Sequence, residues 1–383
     1  MIYLDYAATS WPKAPEVTDA MLAFLEKAGG NPGRSGHSLS IAAGRAIYET
    51  REALAELVNL DDPLRVIFTL NATEALNLVL MGLLKPGARV LTSSIEHNSV
   101  MRPLRHLQAS RGIDVATVHC DAQGRLDLGD LASKLNTPTQ LVILTHASNV
   151  CGTILPVGKA AAMAHAAGAL LAVDAAQTLG ILPLDMRELG IDLLVFSGHK
   201  ALGGPPGVGG LVLGDGFDPA QLEPLVRGGT GSRSEHEEQP TSLPDKYESG
   251  TPNGVGIAGL GAGVRMVLAD GVAERRAHDC ALCERLLQGI AELPNIRVYG
   301  PGRPDEQIGN IALTVAGQHV SEVGWQLDQR EGILSRVGLH CAPAAHRTLG
   351  TFPEGCVRLS VGAATTAGDV DAAIAVLARI SRS

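Results

Sequence analysis

Basic residues are in the minority in this sequence: 31 lysines and arginines face 40 aspartates and glutamates, for a formal charge of −9. That balance disfavours nucleic acid or an anionic membrane surface as partner and leaves a small molecule as the more natural ligand. Long apolar runs are also missing, so no stretch reaches membrane-spanning length. The opening Met1-Ile2-Tyr3-Leu4-Asp5 lacks the basic and apolar regions of a signal peptide, and the expected setting is the cytoplasm. Cysteine is sparse. Six are scattered over 383 residues, which argues for reduced thiols and against a disulfide framework. There is no Gly-x-x-x-x-Gly-Lys-Ser/Thr phosphate loop, no fixed-period repeat and no low-complexity tract. Cys280 and Cys283 form a Cys-x-x-Cys, but it lies in a helix-period run, Ala273 to Leu293, with no second pair or histidine set to complete a zinc site. No metal is expected.

The chain is 45% hydrophobic and 19% charged, and its length suits roughly two domains. Residues 13–27 and 38–58 carry helical spacing around an irregular loop, Gly29 to His37. Strand-like runs follow at 66–70, 88–92, 113–118, 141–145, 170–173, 193–196 and 207–213, alternating with helix-like stretches. Such alternation predicts an α/β fold whose mainly parallel sheet is covered by helices on both faces, with ligands at the carboxyl ends of its strands. After about residue 235 the pattern changes. A polar run leads to one long helix-like segment, Val255 to Leu293, and then to strands near 296–299, 311–315 and 357–361, as in a smaller α+β domain. The expected division is an N-terminal segment 1–15 packed with the small domain, a large domain 16–254 and a small domain 255–383.

The polar groups fall at the predicted strand ends. Asn71, Ala72 and Thr73 follow one strand, His97 another, Asn149 a third, Asp174 and Gln177 a fourth, and Ser197, His199 and Lys200 a fifth. Each has an ordinary explanation: Asn71, Thr73 and Asp174 make good helix caps, and a lysine is usually a solvated charge. A helix start after residue 71 also suits a phosphate, and a desolvated lysine amine can form a Schiff base with a carbonyl. Several such groups at successive strand ends suggest one crevice.

Together these residues resemble the class V aminotransferase family of pyridoxal 5'-phosphate enzymes, and within it the cysteine desulfurases and selenocysteine lyases. The resemblance runs nearly end to end. It is carried by Leu4-Asp5-Tyr6-Ala7-Ala8-Thr9, Ala72-Thr73-Glu74-Ala75-Leu76-Asn77, Glu96-His97-Asn98, Val173-Asp174-Ala175-Ala176-Gln177, Ser197-Gly198-His199-Lys200 and Ser249-Gly250-Thr251-Pro252-Asn253. It implies fold type I, with a seven-stranded sheet in the large domain. Lys200 would hold pyridoxal phosphate as a Schiff base and Asp174 would pair with the ring nitrogen. Gln177 would reach the phenolic oxygen, His97 would stack on the ring, and Asn149 would sit beside it. Ala72, Thr73, Ser197 and His199 would hold the phosphate, and Thr251 would reach the phosphate of a second copy in a homodimer.

Arg336-Val337-Gly338-Leu339-His340-Cys341-Ala342 resembles the Arg-x-Gly-x-His-Cys segment of SufS-type desulfurases. It implies that Cys341 is a nucleophile, with Arg336 near it and Arg358 taking the substrate carboxylate. Cys356 looks structural. The implied reaction converts L-cysteine to L-alanine: Lys200 moves the α-proton, the Cys341 thiolate attacks the substrate sulfur, and a persulfide remains on Cys341. A sulfur-acceptor protein, and with it iron–sulfur cluster assembly, follows from the same resemblance. Leu339 stands where many SufS-type proteins carry histidine, so L-selenocysteine as substrate, or another class V lyase or transaminase activity, is the alternative.

Overall fold

The computed structural model describes residues 1–33 and 35–382, so Arg34, inside the expected loop, and Ser383 lie outside the described residues. The first part of the chain runs β1 (Ile2–Tyr3), α1 (Pro15–Lys27), α2 (Ser38–Leu57), β2 (Val66–Thr69), α3 (Ala72–Leu83), β3 (Arg89–Ser93) and α4 (Asn98–Arg111). It continues through β4 (Asp114–Val118), α5 (Leu128–Leu135), β5 (Leu141–Thr145), α6 (Val157–Ala166), β6 (Leu170–Asp174), β7 (Leu193–Ser197) and β8 (Gly209–Leu213). The strands β2 to β8 form one seven-stranded sheet in the order β2-β8-β7-β6-β5-β3-β4. Every pairing in it is parallel except the two made by β8. Every residue of β5, β7 and β8 is buried, as a parallel sheet covered on both faces requires. Because β2, β3, β5, β6 and β7 run the same way, their carboxyl ends lie along one edge of the sheet.

The remainder runs α7 (Gly254–Asp270), α8 (Val272–Ala291), β9 (Ile296–Tyr299), β10 (Asn310–Val315), α9 (Val320–Trp325), β11 (Ile333–Leu334), β12 (Arg336–Gly338), α10 (Pro343–Leu349), β13 (Cys356–Ser360) and α11 (Ala367–Ile380). An antiparallel sheet, ordered β12-β13-β10-β9, carries α8 and α11 as its helical cover. The long helical run expected over 255–293 is broken. Gly271 adopts a positive φ of 83° and the two helices bend by 82° across it. A lone glycine is the one residue that takes this conformation at little steric cost. α7 packs on α1 and α2, and its Ile257, Leu260, Val264 and Val267 share a core with the large sheet. α7 thus packs with the large sheet, whereas α8, through Leu282, Cys283, Leu286 and Ile290, shares the core of the second unit, built on the antiparallel sheet. A Cβ at Gly263 would collide with the Leu202 carbonyl, so α7 lies hard against the loop that follows Lys200. No single helix among the described residues is long and apolar enough to cross a membrane.

The N-terminal segment joins the second unit. β1 pairs in parallel with β11, Leu4 is buried among Val357, Leu359 and Ile333, and the Ser360 amide donates to the Leu4 carbonyl at 2.8 Å. Only a few residues later the chain reaches back to the large unit: the Ser10 amide donates to the His199 carbonyl at 3.0 Å.

Candidate active site

The large sheet presents its polar groups along the shared edge. β6 ends at Asp174, which is buried and accepts from the Ala176 amide at 3.0 Å. β7 ends at Ser197 and leads to His199 and Lys200. Burial pushes the Lys200 amine down to about 8, with the charge of Asp174 acting in the opposite sense and those of Arg358 and Arg336 reinforcing it. Burial likewise raises the Asp174 carboxyl, and Lys200 offsets part of that rise. Lys200 Nζ makes no hydrogen bond among the described residues, so it is desolvated, close to a carboxylate and unspent.

Two helix starts face each other beside this pair. Asn71 caps α3 by accepting from the Glu74 amide at 3.0 Å, which leaves the amides of Ala72 and Thr73 at the helix mouth. His97 caps α4, its Nδ1 accepting from the Ser99 amide at 3.1 Å. The Ser99 hydroxyl links the two, lying 2.7 Å from Thr73 Oγ1 and 2.8 Å from His97 Nδ1. Burial lowers the His97 imidazole to about 4, helped by Lys200, Arg336, Arg102 and Arg358, so the ring is neutral. His199 is also lowered to about 4, by burial and then by Lys200 and Lys13. Its Nδ1 lies 3.0 Å from Thr9 Oγ1, and its carbonyl accepts from Lys13 Nζ at 2.9 Å. Gln177 Nε2 donates to the Ala7 carbonyl at 3.0 Å. The N-terminal segment thus covers this edge, and a cavity of about 330 Å³ opens between Ala7, Gln177 and Lys200 on one side and Met266 and Asn310 on the other.

The second unit brings the thiol. Cys341 is exposed, in the turn between β12 and α10, and its carbonyl accepts from the Asn98 amide at 2.8 Å, next to His97. Asn149 Nδ2 donates to the His340 carbonyl at 2.7 Å. Arg336 Nη2 lies 3.9 Å from Cys341 Sγ. Arg336 and Arg358 stand directly opposite each other in the β12–β13 pairing. Like charges in that relation repel unless an anion relieves them. One anion is Asp5, whose Oδ1 accepts from Arg358 Nη2 at 2.6 Å, while Nη1 donates to the Asn149 carbonyl at 2.8 Å. Arg358 Nε remains buried with no partner among the described residues, and an unpaired buried donor on a cation is costly unless a ligand answers it.

Lys200, Asp174, His97, Thr73, Ala72, Asn149, Arg336, Arg358 and Cys341 are thus linked by contacts or by mutual electrostatics, and Ser197, His199 and Gln177 border them. Thr251 is not brought to this group. It is exposed, hydrogen-bonded by Asn31 at 3.4 Å, and lines another cavity with Arg51 and Glu74. Asp5, Thr9, Ser99 and Lys13 join the site without a sequence signal for their roles; Asp5 and Thr9 lie inside the Leu4–Thr9 motif, but Asp5 finds its partner 353 positions away.

A mainly parallel α/β sheet with a desolvated lysine beside a buried aspartate at its strand ends defines the class, and the chain belongs to the aminotransferase class-V family, whose model matches residues 2–373. Among its relatives, a probable cysteine desulfurase of Methanothermobacter thermautotrophicus is 34% identical, over 94% of this chain and 90% of the relative. The cysteine desulfurase of Pectobacterium atrosepticum is also 34% identical, over all of this chain and 93% of its own. Among solved structures, the apo cysteine desulfurase of Thermococcus onnurineus superposes with a TM-score of 0.93 at 32% identity, covering all of this chain and 94% of the other. The Escherichia coli cysteine desulfurase CsdA, in an S-sulfonic acid form, gives 0.85 at 30% identity, covering 98% of this chain and 94% of that one.

Proposed function

We propose that this protein is a pyridoxal 5'-phosphate-dependent cysteine desulfurase that converts L-cysteine to L-alanine and keeps the sulfur as a persulfide on Cys341. The observation that carries this reading is the convergence of two unlike nucleophiles: a desolvated amine at Lys200 and an exposed thiol at Cys341, whose turn is bonded to Asn98 and Asn149 at the same edge.

The donor set fits the cofactor. Lys200 supplies an amine for its aldehyde, Asp174 a buried carboxylate for its ring nitrogen, and Gln177 an amide for its phenolic oxygen. His97 offers a neutral ring face. The amides of Ala72 and Thr73, with Ser197 and His199, suit a phosphate at a helix start. Thr251, distant from this group within one chain, is assigned to the phosphate of a second copy, which makes the working unit a homodimer. Once bound, the cofactor supplies an electron sink for the charge left when a substrate α-proton departs.

The protein's own groups do the rest. Arg358, with its unanswered Nε, takes the substrate carboxylate, and Arg336 adds a second positive charge across the strand pair. Asn149 orients the same end. Lys200 takes up and returns the α-proton, a role suited to an amine whose proton is held no more tightly than about 8. The Cys341 thiolate attacks the substrate sulfur; a sulfur–sulfur bond forms, the carbon–sulfur bond breaks, and alanine leaves after reprotonation. The exposure of Cys341 suits onward transfer to an acceptor protein, for which iron–sulfur cluster assembly is the proposed use. Six free cysteines favour a reducing compartment, the cytoplasm. The test is anaerobic incubation of the cofactor-loaded protein with L-cysteine: a one-sulfur mass increase on the Cys341 peptide and stoichiometric alanine are expected, and alanine release undiminished in Cys341→Ala would overturn the reading.

A further inference from the structure

His340 and Cys341 are consecutive non-glycine residues in the left-handed region, with φ of 49° and 57°. Such residues persist only where surrounding structure over-determines them. Part of the restraint is backbone pairing: Ala342 N donates to the Leu339 carbonyl at 2.8 Å, closing the turn, and Asn98 and Asn149 hold its two central carbonyls. The remainder is a buried side-chain chain behind the thiol. His340 Nε2 lies 3.3 Å from the Arg336 carbonyl, His340 Nδ1 lies 3.3 Å from His346 Nε2, and His346 Nδ1 lies 2.7 Å from Thr351 Oγ1. Both imidazoles are buried.

One arrangement of protons satisfies this chain in full, starting from its one obligatory acceptor, the Arg336 carbonyl. A carbonyl only accepts, so His340 carries its proton on Nε2 and presents a lone pair at Nδ1. His346 then donates from Nε2 to His340, with the Leu339 carbonyl of the same turn as a second acceptor for this ring, and its Nδ1 accepts from the Thr351 hydroxyl. The ring centres are 5.5 Å apart and the planes 19° from parallel. That separation is close to the N···N distance plus the radius of each ring, so the nitrogens meet end to end, as in a linear N–H···N bond, and the rings do not stack face to face. Cys356 Sγ, 3.9 Å from His340 Nδ1, is a weaker neighbour. His340, His346 and Cys356 are also close enough to one another to consider as metal ligands. The end-to-end alignment and the run of contacts from the Arg336 carbonyl to Thr351 instead describe a hydrogen-bond chain.

We propose that His346 is a positioning residue for sulfur transfer: through its Nε2–H it locks His340, and so holds Cys341 in the left-handed turn that sets its thiol beside Arg336. The kinetic part of this proposal rests on the desulfurase reading; the geometric part does not.

Three forms of the cofactor-loaded protein test it: wild type, His346→Leu, which removes the donor, and His346→Gln, whose amide can still donate to His340 Nδ1. In His346→Leu, single-turnover persulfide formation on Cys341 should fall roughly tenfold, as for loss of one buried hydrogen bond that leaves a partner unsatisfied. The visible absorbance of the bound cofactor should be retained. Hydrogen exchange at the amides of Ala342 and Asn98 should accelerate by a similar factor, while peptides from β5 and β7 exchange as in wild type. His346→Gln should restore both readouts to within about twofold. The proposal is overturned if His346→Leu leaves exchange and persulfide formation unchanged, if Gln is as poor as Leu, or if purified wild type holds stoichiometric zinc that both variants lose. Should wild type form no persulfide from cysteine, the sulfur-transfer reading fails by itself and the exchange arm still decides the role of His346.

Discussion

The amine side and the thiol side of the site are built on opposite principles. Asp174 ends one largely buried strand and Lys200 follows shortly after its buried neighbour, and burial tunes both. Cys341 is exposed in a left-handed turn that contains no glycine at its centre, and the turn is held by Asn98 and Asn149 from elsewhere in the chain and by the buried imidazoles of the adjacent His340 and of His346. The first half is set by desolvation, which is robust to local change. The second is set by a small number of directional bonds, each of which matters.

That contrast can be broken most severely at its two reactive atoms. Lys200→Ala should lose about 10³-fold or more of turnover, since one group serves both as cofactor anchor and as proton carrier, and the colour of the bound cofactor should vanish. Cys341→Ala should lose at least about 10²-fold in alanine release while keeping that colour, the half-site being intact. A variant that lost both together would show the halves to be coupled more tightly than their construction implies.

A smaller effect is expected where the halves meet. Asp5→Ala strips a buried guanidinium of its partner, and Arg358 then stands opposite Arg336 without relief. Removing one member of such a pair costs about 3 kcal/mol in stability, readable as a shift of the urea midpoint. Apparent affinity for the substrate carboxylate should also change, because the guanidinium is no longer fixed.

The desolvation argument for the amine side is sharpened by pH. An ordinary lysine holds its proton to 10.5, whereas Lys200 releases it as pH rises through about 8. Because its folded value lies below its unfolded one, the burden it places on stability is full below about 8 and is relieved between there and 10.5. In cofactor-free protein, competitive acetylation of Lys200 followed by mass spectrometry should therefore reach half its maximum near 8. In Asp174→Asn the midpoint should move lower, since a charge that favours the ammonium form is gone. A midpoint above 10 would remove the basis for treating this amine as preset. The mildest change is expected at Thr251: Thr251→Ala should weaken cofactor retention only severalfold, and only in the dimer.

The amine side was largely legible in the sequence. Apolar runs mark β5 and β7 almost to the residue, and the polar groups that follow them lie within seven positions of the strand ends, so local pattern carries the placement. The family motifs then supply roles that spacing alone leaves open. The thiol side was legible only through its motif. Nothing in the order Arg336 to Ala342 signals a left-handed turn without glycine at its centre, nor that His346 and Thr351 brace it from behind, because those bonds exist only once α10 has packed. Asp5 was hidden for the same reason, its partner lying 353 residues distant. The break at Gly271 went unseen because apolar spacing continues across it, and periodicity does not register the sign of φ.

The pairing of β1 with β11 has a consequence for synthesis. Ile2, Tyr3 and Leu4 are synthesised long before their partners at 333–334 and 357–360. At about 5–20 residues per second, the leading strand waits roughly half a minute with its apolar side chains uncovered. Throughout that interval Asp5 lacks its Arg358 partner, so the strands around Asp174 and Lys200 can assemble before that pair closes. The Asp5–Arg358 pair therefore forms only after the whole of the large sheet has been synthesised.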